Sequence, residues 1–370
     1  MNVQGRPTRT IRATDDAVEI IDQTALPHSF ETRTLVTVAD AAHAIATMQV
    51  RGAPLIGVTA AYGVWLAMRA DTSDGALATA LGMLRATRPT AVNLRFALEA
   101  MSATLRPAPP ERRAALARGR ADALAEQDVG INRAIGAHGL AIIRDLHSAR
   151  THRGGGGPIN ILTHCNAGWL ATVDGGTALA GIYAAFDAGI PVHVWVDETR
   201  PRNQGALTAW ELGQHRVPHT VVVDNAGGHL MQRGRVDVVL VGTDRTTATG
   251  EVVNKIGTYL KALAARDAGV PFYVAAPSPS IDWTTADALR DVAIEERSAD
   301  EVTGVVGRTA AGGMATVWPL PDGTATANPG FDVTPGRLIT GIITERGIAA
   351  ASRDGLAALF PDRAVPESDG

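Results

Sequence analysis

Short apolar runs that alternate with helix-like segments in the second half of the chain most constrain what it can fold into. The runs cover residues 159–164, 192–196, 220–223, 236–241 and 272–275. Helix-like segments follow them, at 176–188, 204–212, 228–233 and 254–267. This alternation predicts an α/β fold built on a doubly wound parallel sheet. No Gly-x-Gly-x-x-Gly motif follows the first run, so the usual dinucleotide-binding fingerprint is missing.

The first third of the chain has a different pattern, because its apolar residues recur mainly at helical spacing. Helices are predicted over 37–48, in a segment ending at 70, and over 73–87, 91–105, 110–125 and 127–147. A glycine-rich break at 151–158 separates this part from the alternating part. The tail after Pro361 is predicted to be disordered.

Composition argues for an ordinary soluble protein. The 370 residues are 45% hydrophobic and 19% charged, and 34 Lys and Arg stand against 38 Asp and Glu. Nothing in this balance requires a nucleic acid or an anionic membrane as partner. The single cysteine excludes an intrachain disulfide and favours a reducing compartment. With no secretory segment or membrane-spanning run recognised, we expect a cytoplasmic protein.

Two predicted strands end in residues that could carry chemistry. The first run leads to Cys165, and the run at 236–241 leads to Asp244. In open α/β sheets ligands bind beyond the carboxyl ends of the strands, so a thiol and a carboxylate would face one pocket. A lone cysteine is more often a small buried hydrophobe, and an aspartate at a strand end is often a helix cap or a partner of an arginine such as Arg245. The adjacent turn and a charged His164 would favour the thiolate of Cys165, although His164 by itself is best interpreted as structural.

Three places suit an anionic ligand. Arg51 stands beside Gly52, whose amide a ligand can approach closely. Arg88 precedes a proline that fixes the local backbone. Asn254 and Lys255 stand at the predicted start of the 254–267 helix, where free amides favour anions. Each feature alone is weak, since most loop cations are merely solvated.

Other polar residues are also candidates for a functional role. Gln204, in the polar connection that begins at Asp197-Glu198, could bond sugar hydroxyls or simply open a helix. The acidic pairs at 197–198 and 295–296 raise the question of a metal, but ligand spacing is missing and one cysteine cannot form a structural zinc site. The sequence therefore predicts no metal. A serine hydrolase is poorly supported, because no Gly-x-Ser-x-Gly motif occurs.

Taken together in order, these motifs place the chain in a known family. The chain resembles the 5-methylthioribose-1-phosphate isomerases, in the superfamily that includes the α, β and δ regulatory subunits of translation initiation factor 2B. The matching pieces are VEIIDQT at 18–24, VRGAP at 50–54, RPTAVNL at 88–94, INR at 131–133, ILTHCNAG at 161–168, DETRP at 197–201, VGTDR at 241–245, NKIGTY at 254–259, AP at 276–277 with Ser280, EER at 295–297 and NPGFDVTP at 328–335.

The resemblance implies a mainly helical N-terminal domain over 1–148, which contributes phosphate-binding arginines, and a Rossmann-like catalytic domain over 158–360. It implies a homodimer without metal or nucleotide cofactor, acting on a phosphorylated pentose in methionine salvage. Carried over position by position, the catalytic residues are Cys165 and Asp244. The implied substrate-binding residues are Arg51, Gly52, Ala53, Arg88, Gln204, Asn254 and Lys255.

The implied reaction turns 5-methylthioribose 1-phosphate into 5-methylthioribulose 1-phosphate. Phosphate on the anomeric oxygen prevents ordinary ring opening, so an acid such as Asp244 must protonate the ring oxygen. The hydrogen on carbon 2 then either leaves as a proton to a base such as Cys165 or moves to carbon 1 as a hydride. The residues alone leave both routes open.

Two departures from the family pattern bear on the choice of sugar. Leu207 stands directly after Ala206, where the family usually has an arginine, and the 172–177 turn lacks an aromatic residue found in many relatives. Alternative substrates are therefore 5-deoxyribose 1-phosphate and ribose 1,5-bisphosphate, although no second cationic cluster for another phosphate is evident. A non-catalytic regulatory subunit is the alternative of a different class, and the presence of both Cys165 and Asp244 argues against it.

Overall fold

The computed structural model describes residues 1–363, so most of the tail predicted to be disordered lies outside the described residues. The helices are α1 Val38–Ala46, α2 Ala53–Ala70, α3 Asp74–Thr87, α4 Val92–Leu105, α5 Pro110–His152, α6 Ala178–Asp187, α7 Gln204–Gln214, α8 Ala226–Gln232, α9 Thr258–Ala268, α10 Ala288–Asp291, α11 Asp300–Thr303 and α12 Arg353–Leu359. The strands are β1 Asn2–Val3, β2 Arg6–Pro7, β3 Ile11–Ala13, β4 Val18–Ile21, β5 Thr32–Leu35, β6 Ile159–Thr163, β7 Val192–Asp197, β8 His219–Val222, β9 Val238–Val241, β10 Arg245–Thr247, β11 Val252–Lys255, β12 Phe272–Ala275, β13 Ile281–Asp282, β14 Val305–Arg308, β15 Met314–Val317, β16 Phe331–Thr334, β17 Gly341–Thr344 and β18 Gly347–Ala349.

A seven-stranded sheet forms the centre of the second half of the chain. Its order is β18-β17-β12-β9-β6-β7-β8, and every pairing is parallel except that of β17 with β18. From β6 the chain adds β7 and β8 on one side, then returns to add β9, β12 and β17 on the other. This is the doubly wound order with its reversal between β6 and β9. The predicted fold class is confirmed.

Helices dominate the first part of the chain, where α1 to α4 and the first half of α5 enclose an apolar core. The central helix α2 is apolar on all sides. It is long and apolar enough to cross a membrane by length and composition alone, but 83% of its 18-residue window is buried inside the fold. Because the core helix of a soluble protein passes the same test, α2 is best described as the centre of this core.

The single helix α5 connects this core to the sheet. Two helices were predicted, over 110–125 and 127–147, but the helix continues without a break for 43 residues. Glu126, the residue between the two predicted helices, is a good helix former and no proline interrupts the segment there, so the separation was wrong. Ala117 and Ala121 belong to the N-terminal core, whereas Ile135 and Ile143 belong to the core beside the sheet. The division into domains over 1–148 and 158–360 stays a prediction.

Close contact between α5 and α6 depends on two glycines. A Cβ added at Gly139 would lie 2.9 Å from the Cα of Gly181, and one at Gly181 would lie 2.8 Å from the Cα of Gly139. Both distances are too short for real contacts, so the two helices can approach this closely only without side chains at the crossing. Gly119, on the same helix, has nothing within 4 Å of its added Cβ.

We therefore expect Gly139→Ala to lower the free energy of unfolding by about 1–3 kcal/mol, because the extra methyl group must push the helices apart. Gly119→Ala is the matched control and should raise the free energy of unfolding by about 0.5–1 kcal/mol, since alanine is the better helix former. Urea unfolding of both variants measures the difference. Equal effects at the two positions would contradict the packing argument.

Candidate functional site

A cavity of about 110 Å³ lies at the carboxyl ends of the central strands, beside the point where the strand order reverses. It is closed on the other side by the start of α2 and by residues before α4. The nine predicted site residues all line it: Arg51, Gly52, Ala53, Arg88, Cys165, Gln204, Asp244, Asn254 and Lys255. The structure thus brings these side chains together from both halves of the chain, while their individual roles stay predictions.

Cys165 lies two residues beyond β6 and is half-buried. Its φ angle is +66°, in the left-handed region that residues with a Cβ seldom adopt. Burial raises the pKa of the Cys165 thiol, and the Asp244 carboxylate raises it further, whereas Arg51 and Lys255 lower it. Because burial dominates, the neutral thiol is favoured.

Asp244 follows β9, the neighbour of β6, and reaches the same cavity. Burial raises the pKa of the Asp244 carboxyl, against the opposing effect of Lys255, Arg88 and Arg51. Arg245 is not its partner: that guanidinium lies 3.3 Å from Asp282 and donates to the carbonyl of Thr90 at 2.6 Å. A carboxyl group held in this way can keep a proton at higher pH than an exposed one.

The start of α2 brings Arg51, Gly52 and Ala53 to the cavity. Gly52 is required by its surroundings, because its φ is +91° and a Cβ there would lie 2.4 Å from the Cα of Ala171. The Arg51 guanidinium donates to the side-chain oxygen of Asn166 and, at 2.6 Å, to the Asn166 carbonyl. Asn166 therefore fixes the direction of Arg51, a role that the sequence analysis missed.

Arg88 enters the cavity from the end of α3. One of its terminal nitrogens donates to Glu295 at 3.0 Å, and Glu295 also accepts a bond from Arg297 at 2.6 Å. The buried Nε of Arg88 has no partner among residues 1–363. Glu295 belongs to an acidic pair that was considered only for metal binding, and here its carboxylate balances an arginine instead.

Asn254 and Lys255 reach the cavity from a strand, which corrects the predicted helix over 254–267. They end β11, which pairs with β10 and β16, and α9 begins only at Thr258. The β-branched pair before them favours the strand. Amides at the start of α9 are already used, because Gly257 and Tyr259 donate to the carboxylate of Asp332. These two amides are therefore not available to an anion in the cavity.

The side chains of Lys255 and Gln204 also form part of the cavity wall. Lys255 donates to the carbonyl of Gly330 at 2.8 Å and lies 4.6 Å above the ring of Phe331. Gln204 is buried at the start of α7, and its side-chain oxygen has no partner within the described part of the chain. An amide oxygen without a partner at the edge of the cavity is suited to accept a bond from a ligand hydroxyl.

Beneath the Cys165 turn lies a buried carboxyl that the sequence analysis did not single out. Glu211 accepts bonds from the Asn166 amide at 2.9 Å and from the Leu170 backbone at 3.0 Å. Burial raises the pKa of Glu211 to about 7. Its place on α7 could have been suspected only from the apolar surroundings in the sequence, which is a weak signal. Through Asn166 it determines where Arg51 can lie.

A cluster of His164, Asp197 and Asp224 has the donor types of a metal site. In this structure His164 Nδ1 lies 2.9 Å from Asp197, and the Lys261 ammonium lies 3.2 Å from the same carboxylate. The lysine thus supplies the positive charge that a cation would bring. Whether the protein works without a metal stays a prediction, as made from the sequence.

Known proteins share this arrangement of the chain. The model of the initiation factor 2 subunit family matches residues 49–351. The methylthioribose-1-phosphate isomerase of Rhodospirillum rubrum is 65% identical, over 98% of this chain and 94% of its own length. The crystal structure of 5-methylthioribose 1-phosphate isomerase from Pyrococcus horikoshii has a TM-score of 0.82 at 37% identity, over 96% of this chain and 97% of that one.

A second solved structure carries a different name. The structure of translation initiation factor eIF-2B, subunit delta, from A. fulgidus has a TM-score of 0.78 at 36% identity, over 96% of this chain and all of that one. Fold similarity therefore does not separate the two classes, but the identity to the curated isomerases is far higher. The chain belongs to the initiation factor 2 subunit family and, within it, to the methylthioribose-1-phosphate isomerases.

Proposed function

We propose that the protein is an aldose-ketose isomerase that converts 5-methylthioribose 1-phosphate to 5-methylthioribulose 1-phosphate in methionine salvage. One observation carries the proposal. Cys165 and Asp244 line the same cavity as Arg51, Arg88 and Lys255, so an acid, a thiol and three cations meet at one cavity. This set matches the needs of a sugar phosphate whose ring must be opened by an acid.

Asp244 is the group proposed to protonate the ring oxygen. The substrate carries phosphate on its anomeric oxygen, so the ring cannot open as a free hemiacetal does. The raised pKa of Asp244 supports this role, because a buried carboxyl can hold the proton that it must donate. An ordinary exposed aspartate would be ionised at neutral pH and could not donate.

Cys165 is proposed to take the proton from carbon 2. Its thiol must first ionise, and Arg51 and Lys255 favour the ionised form against the effect of burial. A hydride shift from carbon 2 to carbon 1 is the alternative route, and there the apolar surroundings of Cys165 would matter more than its charge. In the proton route the Cys165 thiol returns that proton to carbon 1. In both routes the hydroxyl on carbon 2 gives its proton to the Asp244 carboxylate left by ring opening, so the carbonyl ends at carbon 2 and the product is the ketose 1-phosphate.

The phosphate is proposed to bind among Arg51, Arg88, Lys255 and the first amides of α2. Guanidinium groups form paired, charge-assisted bonds to phosphate oxygens. The free amides at the start of a helix as long as α2 also favour an anion. Arg88 is balanced by Glu295, at 3.0 Å between the terminal nitrogen and the carboxylate oxygen. Bound phosphate would therefore compete with that carboxylate or share the arginine with it.

We infer further that the enzyme works in the cytoplasm as a homodimer, without metal or nucleotide cofactor and without a nucleic-acid or membrane partner. The single cysteine supports a reducing compartment, and the burial of α2 supports a soluble chain. The dimer rests on the family resemblance. The division into a helical domain over 1–148 and a catalytic domain over 158–360 is proposed on the same ground.

The preferred substituent at carbon 5 is the part of the proposal most open to test. Leu207 is buried beside Trp169 and Leu170, and it lines a second cavity that shares Met48, Arg51 and Gln204 with the first. Since the unusual leucine does not line the first cavity, it does not by itself argue for a changed sugar.

A coupled assay should therefore show the highest kcat/KM on 5-methylthioribose 1-phosphate, against 5-deoxyribose 1-phosphate and ribose 1,5-bisphosphate. Equal rates on all three would contradict the substrate assignment, and no turnover at all would favour a regulatory protein.

For the two catalytic groups, Cys165→Ser and Asp244→Asn should each lower kcat by about 10³-fold or more. The serine hydroxyl is far less acidic than a thiol, and the asparagine amide cannot donate the required proton. Both replacements are close in size to the original, so circular dichroism and the melting temperature should stay near the parent values. Near-normal turnover in either folded variant would show that the residue is misassigned.

For the phosphate site, Arg88→Gln should raise KM by about 10- to 100-fold with a smaller change in kcat, because it removes a charge that binds the ground state. Arg85→Gln, three residues earlier on α3 and exposed, is the matched control and should leave KM unchanged. Inorganic phosphate should also inhibit the Arg88 variant more weakly than the parent enzyme. An unaltered KM in Arg88→Gln would remove Arg88 from the site.

A further inference from the structure

The backbone at Cys165 has an unfavourable conformation that its neighbours must impose. Its φ of +66° is uncommon for a residue with a side chain. Such conformations persist only where the surroundings fix them, and they cluster at functional sites. The groups that touch the Cys165 backbone therefore determine where its thiol lies.

Two threonine hydroxyls bond this backbone from opposite sides. The amide of Cys165 donates to Thr199 Oγ1 at 2.8 Å, and Thr208 Oγ1 donates to the carbonyl of Cys165 at 2.8 Å. Each hydroxyl has one further partner that fixes its direction. Thr199 donates to the carbonyl of Asp197 at 3.0 Å, and Thr208 accepts from the Asn166 amide at 3.1 Å.

Burial makes these bonds hard to replace. Thr199 and Thr208 are both completely buried, so water cannot take over if a hydroxyl is removed. A buried amide or carbonyl left without its partner is strongly unfavourable, and the backbone would move to find another. The thiol of Cys165 would move with it.

The backbone conformation of Thr199 indicates that its hydroxyl is needed at this position. Its φ is +62°, which is disfavoured for a β-branched residue, and the Asp224 carboxylate holds it there by accepting the amides of Thr199 and Arg200 at 2.8 Å each. Glycine or asparagine would adopt this backbone more easily. Threonine is understandable here because its oxygen accepts the bond from Cys165.

We propose that Thr199 and Thr208 are positioning residues whose hydroxyls hold Cys165 in its left-handed conformation and so direct its thiol into the cavity. This inference rests on the proposed function, because the thiol matters for turnover only if Cys165 is catalytic. Neither threonine lines the cavity that holds Cys165, so neither is expected to touch the substrate.

The test uses Thr199→Val and Thr208→Val, each of which removes a hydroxyl while keeping the shape of the side chain. Turnover should fall by about 10- to 100-fold with KM changed less than about threefold, because a small misplacement of a reacting group is costly. Cys165 is the only cysteine of the chain, so the rate of alkylation by iodoacetamide against pH reports this thiol alone. That profile should shift in both variants.

Two kinds of control separate positioning from general damage. Thr199→Ser and Thr208→Ser keep the hydroxyl and should restore most of the turnover and the parent alkylation profile. Thr59→Val removes another completely buried hydroxyl, bonded at 2.8 Å to the carbonyl of Leu55 in α2, and should alter neither. If Thr199→Val does not fold, Thr208→Val tests the other bond to Cys165.

The outcomes are distinguishable. Two results would overturn the proposal. The first is valine variants with the parent alkylation profile and turnover, and the second is serine variants whose profile or turnover differs from the parent as much as that of the valine variants. A shifted alkylation profile with unchanged turnover would support the positioning and overturn the role of Cys165 in the reaction instead.

Discussion

The parallel pairing of β6 with β9 is the constraint on which the site depends. Ile161 pairs with Val238 and Leu162 with Val239, so both strands end at the same edge of the sheet. At this point the strand order reverses, and the connecting helices diverge to opposite faces and leave a crevice. Cys165 and Asp244 follow these two strands and therefore share the crevice. A pairing displaced along β9 would separate the thiol from the carboxyl and leave no common cavity.

Burial and nearby positive charge change the pKa values of Cys165 and Asp244 in opposite directions. Burial raises the pKa of both Cys165 and Asp244, while Arg51 and Lys255 lower it for both. In the proposed reaction Asp244 donates a proton, and burial is useful to it because it keeps that proton on the carboxyl. Cys165 is proposed to accept a proton, and the cations are useful to it because they stabilise the thiolate. A phosphate dianion in the cavity would offset part of this positive charge, which favours the protonated form of both groups and therefore helps Asp244 but opposes ionisation of Cys165.

The sequence supported five strands of the seven-stranded sheet, β6, β7, β8, β9 and β12, because each includes an apolar run closed by glycine or polar residues, but it did not predict β17 or β18. It also singled out Cys165 and Asp244, since the ends of such runs are where ligands bind. It failed at Asn254 and Lys255, because helical spacing after residue 258 concealed a short strand that pairs with the nearby β10 and with β16, which lies far away in the chain. It also missed Asn166, Thr199 and Thr208, whose importance lies in bonds to residues 34 to 115 positions distant. Contacts of that kind leave no periodic pattern to detect.

The continuous helix α5 explains how residues from both halves of the chain can meet accurately. Its first half packs in the core that carries Arg51 and Arg88, and its second half packs against α6 beside the sheet that carries Cys165. A helix interior bends little without proline, so it fixes the distance between these two cores more firmly than a loop would. The glycine contact between α5 and α6 then sets how closely the helical part approaches the sheet. The placement of Arg51 and Arg88 at the cavity that Cys165 also lines therefore depends on packing far from the cavity, as well as on the residues that line it.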